Sequence, residues 1–410
     1  MGGTKKFFKQ TMASVPLDNQ TVLLRADYNV PLQEDGTIAD DFRIRASLPT
    51  VRRLLKRGCK VVIISHLGRP EGRDEKFSLE PVAARLSELL KKPVKFVDGA
   101  IGDKARMAVK RASKNSVILL ENLRFYKGEE ANSPKFAKEL AKASGARYFV
   151  QDGFGVVHRA HASTSAITED LPSVAGILLK REYTTITKAM TAPERPLVAI
   201  VGGAKVSDKI GFINALIDIA DTIIITGAMA NTLLVNRGYN LGKSKYETGS
   251  TTVVSSIYAK AAKKVGAGKV DDFLLLPSDL AVGHSLDKTE ERRNVTLDHV
   301  EKNDLALDVG DKTIERIVDT VEKAKTVIWN GTLGVAELPQ FAHGSARLAL
   351  ALATHPGIES IVGGGDTVDF VRDWDARAGK SFSHVSTGGG ASLELMAGKK
   401  LPGIESLLDA

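Results

Sequence analysis

The chain has 410 residues, 43% of them hydrophobic and 26% charged, and Lys and Arg outnumber Asp and Glu by 57 to 49, a net charge of +8. A single core stops growing at roughly 250–300 residues, so this length implies two domains. The one cysteine, Cys59, excludes an internal disulfide and a clustered thiolate metal site.

Other broad classes fall away too. No apolar stretch reaches the ~20 residues of a membrane span, and the charged start MGGTKKFFKQ lacks a signal peptide's apolar core, so the expected location is the cytosol. The positive surplus comes without a Lys/Arg-rich run and with only 6% aromatic residues, which favours small anionic ligands over nucleic acid.

In chain order, short β-branched runs at 22–24, 61–64, 94–97, 117–120 and 148–150 each end in a polar or glycine cluster and lead into a helical pattern. A helical pattern at 174–190 follows, closed by Pro193 and Pro196 as a stiff connector. The rhythm resumes with runs at 197–201, 223–226, 273–276, 327–329, 361–362 and 384–385. Continuous apolar strands alternating with helices predict an α/β fold of two doubly wound, Rossmann-like parallel-sheet domains joined by a helical hinge. The boundaries are placed at 1–180, completed by 391–410, then a hinge at 181–196 and a second domain at 197–390.

Ligands of open parallel sheets bind beyond the carboxyl ends of the strands. In the first half those ends carry Arg25, Asp27 and Asn29, then His66 and Arg69, then Arg124, then His158, Arg159 and His161, with Arg43 at the start of a helix. One such arginine is an ordinary surface residue. A set of Arg and His at equivalent strand ends repels itself unless it holds an anion, and guanidinium forks suit phosphate and carboxylate. His158 and His161, three apart, have no Cys or Glu at ligand spacing, so they are expected to hydrogen-bond beside a phosphate rather than to bind zinc. Asp27, paired with Asn29, is placed to accept a substrate hydroxyl.

In the second half glycine replaces arginine. Gly202-Gly203-Ala204-Lys205 leads to Lys209 and a helix that Ser207 or Asp208 is expected to cap. Gly363-Gly364-Gly365-Asp366-Thr367 opens another helix, and Ser386-Thr387-Gly388-Gly389-Gly390 is a third such turn. A single glycine turn is usually steric, but three at strand ends, one with lysines and one with Asp-Thr, predict a nucleotide site in which backbone amides and a helix N-terminus meet phosphate. Asp366 is a plausible Mg²⁺ partner. Gly238 to Ser244 is one residue short of a phosphate loop and reads as a turn; no dinucleotide fingerprint follows any strand.

Taken together, Arg25 to Pro31, Ser65 to Pro70, Glu121 to Phe125, His158 to His161, Gly202 to Ile210, Trp329 to Gly331 with Glu337, Gly363 to Thr367 and Ser386 to Leu395 resemble the phosphoglycerate kinase family in order and spacing, from about residue 20 onward. The resemblance implies reversible Mg²⁺-dependent phosphoryl transfer from 1,3-bisphosphoglycerate to ADP, giving 3-phosphoglycerate and ATP, in line and after domain closure. It implies that Asp27, Asn29, Arg43, His66, Arg69, Arg124 and Arg159 hold the phosphoglycerate. Lys205 and Lys209 would meet the nucleotide phosphates and the transferred group, with Arg43 and Lys205 catalytic. Asp366 would hold Mg²⁺-nucleotide, Gly363, Gly364, Gly365 and Thr367 the phosphates, and Glu337 the ribose. Gly202, Gly203, Gly310 and Asn330 would border the nucleotide. A monomer without nucleic-acid or membrane partners is expected. The chain departs from the family pattern at Val156, Val157, Ala228, Asp311, Thr332 and Ala336, none of them a charged catalytic position. A silent ligand-binding relative would be expected to have lost Lys205, Arg43 or Asp366, and a dehydrogenase would need the missing fingerprint.

Overall fold

Runs of Val, Ile and Leu buried along their whole length need cover on both faces, and the computed structural model, which describes residues 7–410, supplies it twice. In the N-terminal half the elements are β1 (Thr21–Arg25), α1 (Phe42–Lys56), β2 (Lys60–Ile64), α2 (Glu80–Leu90), β3 (Val94–Val97), α3 (Gly102–Arg111), β4 (Val117–Leu120), α4 (Lys127–Glu130), α5 (Pro134–Ser144), β5 (Tyr148–Gln151), β6 (Ser173–Ala175) and α6 (Ile177–Thr191). The strands form one parallel sheet in the order β3-β4-β2-β1-β5-β6. Side chains alternate between its faces. Val22 and Leu24 join Ile44, Val51 and Leu86 of α1 and α2 in one core, while Leu23 joins Val109, Leu140 and Phe149 in the other. Cys59 is buried, its Sγ donating to the Leu17 carbonyl at 3.1 Å.

The C-terminal half runs β7 (Leu197–Val201), α7 (Ile210–Ile219), β8 (Thr222–Ile225), α8 (Gly227–Asn236), α9 (Thr251–Val265), α10 (Val270–Phe273), β9 (Leu274–Leu275), β10 (Asp279–Gly283), β11 (Arg293–Thr296), β12 (Leu305–Val309), α11 (Asp311–Glu322), β13 (Thr326–Asn330), α12 (His343–Thr354), β14 (Glu359–Gly363), α13 (Gly365–Trp374), β15 (His384–Val385) and α14 (Gly390–Met396). A second parallel sheet has the order β15-β14-β13-β7-β8-β9. The sequence pattern missed a three-stranded antiparallel sheet, β11-β10-β12, inserted after β9. The last helix is α15 (Pro402–Glu405).

The chain divides into two units between Thr184 and Thr185, inside α6, and again between Lys399 and Lys400. The return to the N-terminal unit thus starts at Lys400, later than the expected 391, because α14 packs on α7 of the C-terminal unit. Within the N-terminal unit the returning segment is bonded to the start of the chain and to the turn after β5: Gln10 donates to the Leu408 carbonyl at 2.7 Å, and Gly403 to that of Val157 at 2.9 Å. Among the described residues, no helix is long and apolar enough to cross a membrane.

Candidate active site

Strand order reverses beside β1 in the first sheet and beside β7 in the second, and a crevice opens at such points. In the N-terminal unit the loop after β1 turns Asp27 inward, almost fully buried. The Arg43 guanidinium, near the start of α1, lies 3.4 Å from the Asp27 carboxylate and donates to the Asn29 carbonyl at 2.8 Å. The Asn29 side-chain oxygen accepts from the Gly68 amide at 2.8 Å, tying the loops after β1 and β2 together. Gly68 has φ +62°, and a Cβ there would lie 2.3 Å from the Phe77 ring, so only glycine fits. Buried Asn122, after β4, fixes the same loop by donating to the carbonyls of Leu67 and Phe77 at 2.7 and 2.9 Å.

The expected cations converge. Burial holds the His66 imidazole well below its ordinary value, helped by Arg25, Arg124, Arg43 and Arg159. His161 falls to about 4, through burial and then Arg25, with Arg159 and Arg124 adding to the fall. Arg124 is lowered by burial and by Arg159, Arg25 and Arg69, against Glu130 at 3.2 Å, and it donates to the Gly68 carbonyl. Half-buried His158 lies on the turn that carries Arg159 and His161. Asp27, Glu129 and Glu130 offset only part of this charge, so the rim is a ready anion site. The strand-end rule passed over two buried residues behind it, Glu129 and Ser163, and gave Arg25, also buried there, no role of its own. Arg25 was visible in the motif but reads as a strand residue, and nothing in the sequence pairs it with residues more than 100 positions away.

In the C-terminal unit, β7 and β13 end side by side in glycine. A Cβ on Gly202 would lie 2.5 Å from the Thr332 carbonyl, and one on Gly331, at φ +116°, 2.4 Å from the Gly202 backbone. This close approach leaves room for a cavity of about 440 Å³ lined by Gly203, Ala228, Leu280, Leu307, Glu337 and Asp366 among others, a size suited to a nucleoside. Its apolar wall comes from the antiparallel sheet, which is why composition and strand rhythm did not show it. Lys243, in the segment read as a turn, and Lys245 just after it also line it.

At the ends of β7 and β13 the Lys209 ammonium donates to the Gly202 carbonyl at 2.6 Å and the Asn330 side-chain oxygen at 2.7 Å. Burial pulls it down to about 8, opposed by Asp366 and Asp208. Thr367 accepts from the Gly331 amide at 2.7 Å, and Gly363 and Gly364 pack beside Asn330. Gly365 opens α13, with Asp366 in its first turn. Gly310 does not line the cavity: it packs on buried Asp279, and its neighbour Val309 lines the wall instead. Lys205 is exposed. The expected Ser207 or Asp208 cap does not form, because Ser207 donates to Glu247 and the helix starts at Ile210. His284, Glu301 and Asp304 bring ligand atoms within 4.8 Å of one another, but Arg293 donates to Asp304 at 2.5 Å and places a guanidinium where a cation would sit.

Two doubly wound units, one ending in a guanidinium-rich rim and the other in a glycine-walled cavity, form the architecture of an α/β kinase of small metabolites. The family model described as phosphoglycerate kinase matches residues 12–399, and the chain belongs to that family. It is 45% identical over 393 residues to a phosphoglycerate kinase of Dictyoglomus turgidum, covering 96% of each chain, and 45% identical over 407 residues to one of Chloroflexus aggregans, covering 98% of this chain and 99% of that one. Among solved structures it resembles phosphoglycerate kinase from Coxiella burnetii, with TM-score 0.83, 37% identity and coverage of 97% and 98%. The enzyme from Pyrococcus horikoshii gives TM-score 0.82 at 29% identity, with the same coverage.

Proposed function

We propose that this chain transfers a phosphoryl group reversibly between 1,3-bisphosphoglycerate and ADP, with the phosphoglycerate held on the N-terminal rim and the nucleotide in the C-terminal cavity. The observation that carries the reading is the rim itself: His66, His161 and Arg124 are each lowered by burial and by the charge of neighbouring arginines, with few acids to offset them. Asp27, Asn29, Arg43, His66, Arg69, Arg124, His158, Arg159 and His161 contact the phosphoglycerate. Gly203, Glu337 and Asp366 border the nucleotide, backed by Gly202, Lys209, Asn330, Gly310, Thr367 and the glycines at 363–365, with Lys205 reaching the transferred group.

No general base is needed. The acceptor in the ATP-consuming direction is a carboxylate, ionised at neutral pH because carboxyl pKa values lie near ~4. The protein's work is to align the two reactants in line after closure on both, to exclude water, and to balance the charge on the moving group. Arg43 and Lys205 do the last of these. The Asp366 carboxylate, which lines the cavity at the start of α13, is a hard oxygen donor of the kind Mg²⁺ takes alongside phosphate oxygens. Mg²⁺ bound there would neutralise phosphate charge. The protein acts as a cytosolic monomer on these small molecules, without nucleic acid.

Arg43→Ala tests the assignment. Its Asn29 bond uses one of five guanidinium donors, so the variant should fold and bind nucleotide with an affinity within about twofold of the parent. Its turnover should fall by roughly a hundredfold or more, as for the loss of a charged transition-state donor. Equal losses in turnover and nucleotide affinity would refute the role.

A further inference from the structure

Behind the rim lies a chain of buried donors and acceptors with no role in the scheme above. Arg25 and Glu129 are each 1% exposed and 4.0 Å apart. Arg25 Nε donates to Ser163 Oγ at 2.8 Å, and Ser163 Oγ donates to Glu129 Oε1 at 2.5 Å. The Ser163 amide donates to Glu129 Oε2 at 3.0 Å. Both carboxylate oxygens therefore accept. At its other end the Arg25 guanidinium approaches His66 Nδ1 at 3.2 Å through Nη2, and it also donates to the Ala26 carbonyl.

A guanidinium can only donate, so His66 Nδ1 must offer its lone pair, and in a neutral imidazole the proton then sits on Nε2. The tautomer decides the sign of the interaction. With the proton on Nε2, the ring nitrogen turned away from Arg25 donates to an anion; with the proton on Nδ1, it would oppose the anion with a lone pair. Adding a second proton at Nδ1 would set an N–H against Arg25, with Arg43 of α1, Arg124 beyond β4 and Arg159 beyond β5 adding repulsion. Asp27, 4.0 Å from Nδ1, favours it. We propose that Glu129, acting through Ser163, is a positioning residue that holds Arg25 against His66 and so fixes His66 as a neutral Nε2–H donor to the bound acid. The proposal rests on the rim's being the phosphoglycerate site. Without Glu129 the buried Arg25 loses its counter-charge, an arrangement that a buried cation relieves by moving.

Nitrogen NMR of the histidine side chains in the full-length protein, with His66 assigned by His66→Gln, reads the tautomer directly. His66 should show the Nε2–H form, unchanged between about pH 5.5 and pH 8, where a free imidazole titrates. In Glu129→Gln its two nitrogen shifts should move toward each other. The KM for 3-phosphoglycerate should rise about tenfold, as for the loss of a charged hydrogen bond, with the nucleotide KM unchanged within about twofold. Ser163→Ala, which keeps both charges, should reproduce the shift change if Glu129→Gln fails to fold. An Nδ1–H form or a titration in that range in the parent protein overturns the proposal, as do variants that leave both the tautomer and the KM unchanged. A parent protein with the expected tautomer whose His66 signals ignore 3-phosphoglycerate would instead contradict the placing of the phosphoglycerate, with the Arg25-fixed tautomer upheld.

Discussion

The Lys209 ammonium is held by backbone and side-chain oxygens of Gly202 and Asn330, and burial brings its pKa to about 8. A depressed lysine keeps its charge below that value and loses it as pH rises through it. On the proposed role, attraction for a nucleotide phosphate is therefore nearly complete at neutral pH and fades above about 8. The KM for ATP should climb by up to tenfold per pH unit beyond that point, while Lys209→Arg, charged throughout, should show a flat profile; parallel profiles would contradict the assignment. The residue type and place were legible in the sequence, since Lys209 follows a glycine turn at a strand end. Its direction was not. The expected reading had a helix capped by Ser207 or Asp208, whereas Ser207 is drawn to Glu247 and Lys209 folds back onto the strand ends.

Among the elements, α6 shows how one buried acid sets a helix start. Asp152, at the end of β5 and fully buried, accepts from the amides of Leu178 and Leu179 at 2.9 and 3.3 Å, and a Cβ on Gly176 would lie 2.1 Å from its oxygen. Burial lifts Asp152 from 3.8 to about 7, against Thr50 and those amides. Between those values the folded state keeps a proton that the unfolded chain has released, so stability falls as pH rises toward about 7. Asp152→Asn, which cannot ionise, should remove that fall, worth up to about 4 kcal/mol; denaturant unfolding at acid and neutral pH measures it, and unchanged pH dependence would refute the assignment. The strands leading to both sites were legible because a parallel strand covered on both faces is a continuous apolar run. β6 was not, since its three residues merge with the α6 pattern. Nor was the antiparallel sheet, whose strand β11 is Arg293, Asn294, Val295 and Thr296 with alternate residues exposed.

For the molecule as a whole, the N-terminal unit is finished only by the chain's last residues. Leu401, Ile404 and Leu407 are buried there, and Lys9 donates to the carbonyls of Glu405 and Leu407 at 2.6 and 2.8 Å. Each apolar side chain contributes about 1.5–3 kcal/mol, so removing residues 400–410 should unfold the N-terminal unit at a much lower temperature, and an unchanged transition in calorimetry would contradict this. The family, the cationic rim and the glycine turns could be read from motifs because strand ends carry the chemistry in this architecture. The apolar wall of the cavity could not, because it comes from the antiparallel sheet, which the strand rhythm did not reveal. The most direct measurement of the central claim is a coupled assay with 3-phosphoglycerate, Mg²⁺ and ATP, run beside Lys205→Ala. The account predicts turnover that saturates in both substrates and is lost in the variant; a parent protein that binds both ligands yet forms no ADP would contradict it.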